Sequence, residues 1–237
     1  MFGKIDQAIL HKLLLYSSLL PDIGLLRGKM GISFFFMHYS RQTGEVLYED
    51  IAGELLEEIT EKLNKEMPIT FESGLTGIGW AIDYLIAKGY VEGDSMDICE
   101  EIDSKIMEIS PNRLTDYSLE KGISGILLYV LSHCKVVYSQ QKKLPFDSVY
   151  LYDLYTACDK ISSQRQAPPD VIRLSNTYLT FYKDKQLPDD NIWDVSIVVE
   201  GIPDFDERKF FGYPLGIKKG LAGILFEKYC LPVISLP

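Results

Sequence analysis

Residues 119–131 read LEKGISGILLYVL. From Ile123 onward the apolar side chains fall at i, i+3, i+4, i+7 and i+8 (Ile123, Ile126, Leu127, Val130 and Leu131), the spacing that gathers on an α-helix. Two glycines, Gly122 and Gly125, stand at its opening. The same opening, Gly-x-x-Gly-Ile, recurs in GLLRGKMGISFFFMHY from Gly24, in ESGLTGIGWAIDYL from Glu72 and in IKKGLAGILFEKY from Ile217. The glycine pairs are Gly28/Gly31, Gly74/Gly77, Gly122/Gly125 and Gly220/Gly223, and the first glycines are separated by 46, 48 and 98 residues. The last interval is two periods long, which predicts a degenerate unit without glycines. Pro168-Pro169-Asp170 opens such a unit, because Pro followed by Asp starts a helix well.

Between these apolar helices lie charge-rich amphipathic stretches, Ile51 to Glu66, Met96 to Ile109 and Asp147 to Ile161. An apolar helix is enclosed by neighbours, whereas a striped one covers a surface. The alternation therefore predicts an all-α chain of about five stacked αα-hairpins, either an open solenoid or a closed αα-toroid. The units start near residues 24, 70, 118, 168 and 216 within a single domain, 1–237. A long connection, 187–213, interrupts the rhythm; its β-branched run from Val195 to Val199 reads as one short strand.

Composition narrows the function. The 237 residues carry 24 Lys+Arg against 34 Asp+Glu, a formal charge of −10 with no lysine-rich block. Nucleic acid and anionic lipid surfaces need clustered positive charge, so neither is expected as a partner. The apolar stretch at residues 13–20 is too short to span a bilayer, which takes about 20 residues, and no cleavage site follows it, so no membrane association is expected and the reading is cytoplasmic. Cys99, Cys134, Cys158 and Cys230 form no CxxC pair and read as buried free thiols.

Glycine in a helix costs about 0.5–1 kcal/mol relative to alanine, so its repetition at one phase needs a reason. One reason is close approach of backbones at each helix start. The other is an exposed set of N–H groups that attracts a carboxylate or phosphate. The first is favoured, because a single anion site would not need the motif in every unit.

The four glycine segments are similar to the G-L-x-x-G-x-A-G-I repeats of the lanthionine synthetase C-like family. The resemblance implies an αα-toroid, two concentric rings of helices, here short or incomplete with about five hairpins. It also implies kinship with cyclases that add a peptide cysteine thiol to a dehydrated Ser or Thr, using a zinc ion held by two cysteines and one histidine. The family's Trp-Cys-x-Gly and Cys-His-Gly strings are absent: Trp80 precedes Ala81, Trp193 precedes Asp194, and the adjacent pair His133-Cys134 stands in reverse order inside a helix. No metal site and no cofactor are expected. The reading is then a zinc-less relative that binds a peptide or a modifying enzyme in ribosomal peptide modification, or a homo-oligomer in which a second copy completes the ring.

Binding candidates at the helix starts are Arg27, Lys29, Lys218, Lys219 and Trp80. A second reading is a carbohydrate-active toroid enzyme, with Glu72, Asp116 and Glu120 sharing acid and base roles and Asp83 set further in. A third is a structural or oligomerising partner without catalysis. No Gly-x-Ser-x-Gly elbow, phosphate-binding Gly-Lys-Ser/Thr loop or His-Glu-x-x-His string is present. His11 and His38 read as polar edge residues.

Overall fold

The structure, a computed structural model, describes residues 3–164 and 166–231. The ends of the expected domain, residues 1–2 and 232–237, lie outside the described residues. In chain order the helices are α1 (Lys4–Tyr16), α2 (Lys29–Thr43), α3 (Val46–Lys62), α4 (Leu75–Ala87), α5 (Ser95–Ile98), α6 (Glu100–Met107), α7 (Ile123–Ser139), α8 (Ser148–Ser162), α9 (Pro169–Asp184) and α10 (Leu221–Tyr229). The fold is all-α and built from packed helix pairs, as expected. The chain divides into two compact units, residues 1–62 with 195–237, and residues 63–194.

The four glycine motifs share one construction. Each first glycine is the N-cap of its helix, in extended backbone: Gly28 for α2, Gly74 for α4, Gly122 for α7 and Gly220 for α10. The next residue's N–H (Lys29, Leu75, Ile123 or Leu221) donates to the carbonyl seven residues earlier (Asp22, Pro68, Asp116 or Pro214), at 2.9 Å in all four cases. The lead-in therefore folds back over the helix start and takes up one of the donors that a helix leaves unpaired. Each second glycine, Gly31, Gly77, Gly125 or Gly223, is the third residue of its helix and is buried.

A Cβ on Gly28 would sit 2.5 Å from the Asp22 carbonyl oxygen, and one on Gly125 would sit 2.5 Å from that of Leu119. On Gly223 it would sit 2.3 Å from the Ile217 carbonyl oxygen and 2.5 Å from that of Glu200. This is the close-approach reason for the glycines. The N–H at the first position of each helix is spent on the chain itself and is not offered to an anion.

In the second unit, α4 and α7 are enclosed: every residue from Leu75 to Leu85, Gly77 among them, and from Ile123 to Cys134 is buried. Their lead-ins touch, with Glu72 N–H donating to the Glu120 carbonyl at 3.1 Å. The helices α8 and α9 are striped instead; α9 buries Val171, Leu174, Ser175, Tyr178 and Phe181 and leaves its other face open. This helix opens at Pro169 with Pro168 as its N-cap, where the four motif helices have glycine.

In the first unit the same relation links the two ends of the chain. Lys218 N–H donates to the Leu26 carbonyl at 3.0 Å, and these residues occupy the same motif positions as Glu72 and Glu120. A Cβ on Gly31 would lie 2.9 Å from Ile217 Cγ2, as one on Gly125 would lie 2.8 Å from Phe71 Cβ. The last motif thus stands to the first as the second stands to the third. The first motif therefore has the chain's own last motif as its neighbour. The helix α1 packs on α10, where Lys228 Nζ and Tyr229 Oη each donate to Asp6 Oδ2 at 2.6 Å.

Three expectations are corrected. Val195–Ile197 is a 3-10 turn rather than a strand, and the described residues hold only an isolated bridge between Glu200 and Lys218; Val198 and Val199 N–H both bond back to Val195, which curls the run. The amphipathic helix expected from Met96 to Ile109 is broken at Cys99 into α5 and α6. His38 is a core residue, with its ring centroid 4.8 Å from that of Phe34 and 4.9 Å from that of Phe226. Burial there, with Arg41 nearby, lowers its pKa to about 3.

Candidate functional site

The break at Cys99 positions a buried polar network in the second unit. Asp94 caps α5 by accepting from Met96 N–H at 3.1 Å, and Lys142 pairs with the Asp94 carboxylate. After one turn the backbone departs from helical geometry at Cys99 and resumes as α6. Ser95 and Cys99 are fully buried there. They meet Asp83 from α4 and His133 from α7, each a buried ionisable residue in a mostly apolar helix.

The imidazole lies between two carboxylates. His133 Nδ1 is 3.0 and 3.2 Å from the two oxygens of Asp83 and 3.2 Å from Ser95 Oγ. Its Nε2 is 3.1 Å from Asp103 Oδ2, and Tyr129 Oη donates to Asp103 Oδ1 at 2.7 Å. Ser95 also donates a short hydrogen bond to Asp83. Tyr129, one turn before His133, stacks on its ring at 5.2 Å and 13°. Asp83, Ser95, Cys99 and His133 are 0% exposed. Burial works against the imidazolium, but the charge of Asp83 and the hydrogen bonds His133 donates to both aspartates prevail and raise His133 to about 10. Burial raises Asp83 against the opposing pull of His133, and burial with both aspartate charges pushes the Cys99 thiol well up. One ligand atom each from Asp83, Cys99 and His133 lies within 4.8 Å of the others, a grouping that can hold a metal ion.

The residues named from sequence separate into distinct roles. Lys29 is 1% exposed, 2.5 Å from Glu58 Oε1 and 2.7 Å from the Ser18 carbonyl, and so is an internal ion pair rather than a rim cation. Trp80 is fully buried, donates from Nε1 to the Ile192 carbonyl at 3.0 Å, and packs on Trp193; it is core. Arg27, Lys218 and Lys219 stand on the two touching lead-ins of the first unit, with Lys219 Nζ 3.5 Å from Glu200. Glu72 pairs with Lys121 at 3.2 Å. Asp116 accepts from Ser118 N–H at 2.7 Å, as Asp22 does from Gly24 N–H at the same motif position, so both aspartates shape a turn. Glu120 supplies its carbonyl to Phe71 and Glu72. The motif glycines, Gly77 and Gly223 as much as Gly28 or Gly122, are all buried at the helix starts, apart from the polar network. All four cysteines are buried and free. Sequence reasoning set His133 beside Cys134; the structure sets it beside Cys99. The available signal was the isolated Asp83 and His133 inside apolar helices.

An all-α protein with folded-back glycine motifs and a closed Asp–His–Asp network belongs to the repeat class of stacked helical hairpins. The family model described as lanthionine synthetase C-like protein matches residues 21–170, and the chain belongs to that family. No curated protein matches it. Among the described residues no helix is long and apolar enough to cross a membrane.

The family's catalytic ion needs two cysteines and a histidine with a position open to substrate. The residues here do not fit that centre: one thiol, Cys99, joins His133, and the whole group is sealed from solvent.

Proposed function

We propose that the chain is a lanthionine synthetase C-like protein that binds a peptide or its modifying enzyme in ribosomal peptide modification, without closing thioether rings itself. The observation that carries this reading is the burial of all four cysteines and of His133. A substrate thiol cannot reach Cys99 or His133, so neither can activate it for ring closure. Binding is assigned to Arg27, Lys218 and Lys219, which share one end of the first unit's glycine motifs. Against a chain of formal charge −10, a local cluster of cations selects carboxylates at short range.

The test uses a fluorescently labelled peptide with an acidic segment, one cysteine and one dehydroalanine. Anisotropy should show saturable binding, weakened about tenfold by the double charge reversal R27E/K219E, since each exposed ion contact contributes about 0.2–1 kcal/mol and reversal adds repulsion. Free thiol should fall no faster than without protein. Protein-dependent thiol loss, or binding indifferent to the reversal, would overturn the proposal.

A further inference from the structure

We infer that Asp83, Cys99 and His133 hold one divalent metal ion, zinc by its donor set, as a closed structural site unlike the two-cysteine centre of the family's cyclases. The chemistry of the donors comes first. One carboxylate, one thiol and one imidazole converge within 4.8 Å, and a mixed O, S and N set suits four-coordinate zinc. The spacing agrees. Two donors about 2.0 Å from a tetrahedral ion stand about 3.3 Å apart, and His133 Nδ1 lies 3.0 and 3.2 Å from the Asp83 oxygens. Ser95 Oγ, 3.2 Å from Nδ1, is an oxygen near enough to stand at a fourth position.

An independent observation supports the same reading. A metal-bound histidine gives its other ring nitrogen to a carboxylate that fixes its orientation. Here Asp103 takes Nε2 at 3.1 Å, and Tyr129 in turn holds Asp103. Bound there, the ion ties α4, α7 and the α5–α6 break together. That accounts for an interrupted helix where the sequence carries a continuous amphipathic pattern.

The experiment loads the full chain with Co(II) or Zn(II) and removes excess ion by dialysis. One ion per chain should remain. The Co(II) form should show a thiolate-to-cobalt charge-transfer band with ligand-field bands of a four-coordinate ion. Cys99→Ser should lose the charge-transfer band, and Cys134→Ser should keep it. The melting temperature should rise by about 5–10 °C at a hundredfold excess over Kd. Should the Cys99 variant fail to fold, X-ray absorption at the zinc edge of the wild-type protein decides, with one sulfur among nitrogen and oxygen neighbours expected. No retained ion, a shell without sulfur, a shell with two sulfurs, or a charge-transfer band surviving in folded Cys99→Ser would each overturn the inference.

Discussion

Gly125→Ala tests the packing on which the repeat architecture depends. The added methyl would lie 2.5 Å from the Leu119 carbonyl oxygen and 2.8 Å from Phe71 Cβ. Ordinary contacts between carbon atoms lie at about 3.5–4.0 Å, so both neighbours must retreat by about 1 Å. Neither is a flexible side-chain end. Leu119 belongs to the lead-in folded over α7, and Phe71 to the adjoining lead-in, whose Phe71 and Glu72 N–H groups both bond to the Glu120 carbonyl. Overpacking of this kind costs about 1–3 kcal/mol, and strain in those bonds adds to it. Replacing a helical glycine returns about 0.5–1 kcal/mol. The net expectation is destabilisation by about 2 kcal/mol, or about 4–8 °C in Tm for a chain of this size. Gly53→Ala is the matched control: it also lies in a helix, α3, with nothing within 4 Å of its added Cβ, and should gain about 0.5–1 kcal/mol. Differential scanning calorimetry of both variants reads the contrast directly. A Gly125→Ala protein that melts at or above the wild-type temperature would refute the crowding argument.

Two further outcomes are expected. Burial favours the protonated form of Asp6, but hydrogen bonds from Lys228, Tyr229 and the Gly3 N–H prevail and hold its carboxyl below the ordinary carboxylate range. A depressed native pKa contributes stability above the unfolded value near 3.9 and loses it as pH falls through the native value. Asp6→Asn should therefore cost about 2 kcal/mol at neutral pH, with the Tm gap to wild type closing in strong acid; a gap constant with pH would contradict the pairing. Lys29→Met should lower stability by about 2 kcal/mol, because it strands the Ser18 carbonyl and removes a partner of the half-buried Glu58. The same variant should leave peptide anisotropy unchanged, and weakened binding at unchanged Tm would restore Lys29 to the rim.

The helical class was legible in the sequence because its signals are local. Apolar spacing in Ile123–Leu131 and the glycine pairs report on a few consecutive residues, and Pro-Asp marks the start of the helix at Pro169 in the same local way. The turn at Val195–Val199 was misread because β-branching fits a strand only when a partner strand pairs along it, and the described chain supplies one isolated bridge there. Lys29 and Arg27 look alike in sequence, two cations beside one glycine. Only the arrival of Glu58 and the Ser18 carbonyl separates an internal pair from an exposed charge.

The candidate site was hidden for a related reason. Asp83, Cys99 and His133 are 16 and 34 residues apart, at no ligand spacing, and His133 has a cysteine as its immediate neighbour. Adjacent helical residues point about 100° apart, so the neighbour in sequence is not the neighbour in space. By itself the sequence determined the repeat, the helices and the places where a missing side chain lets backbones touch, since each follows from conformational preferences within a turn or two. Tertiary packing alone decided which buried polar groups meet, because a desolvated carboxylate or imidazole takes whichever partner the facing helix brings within about 3 Å.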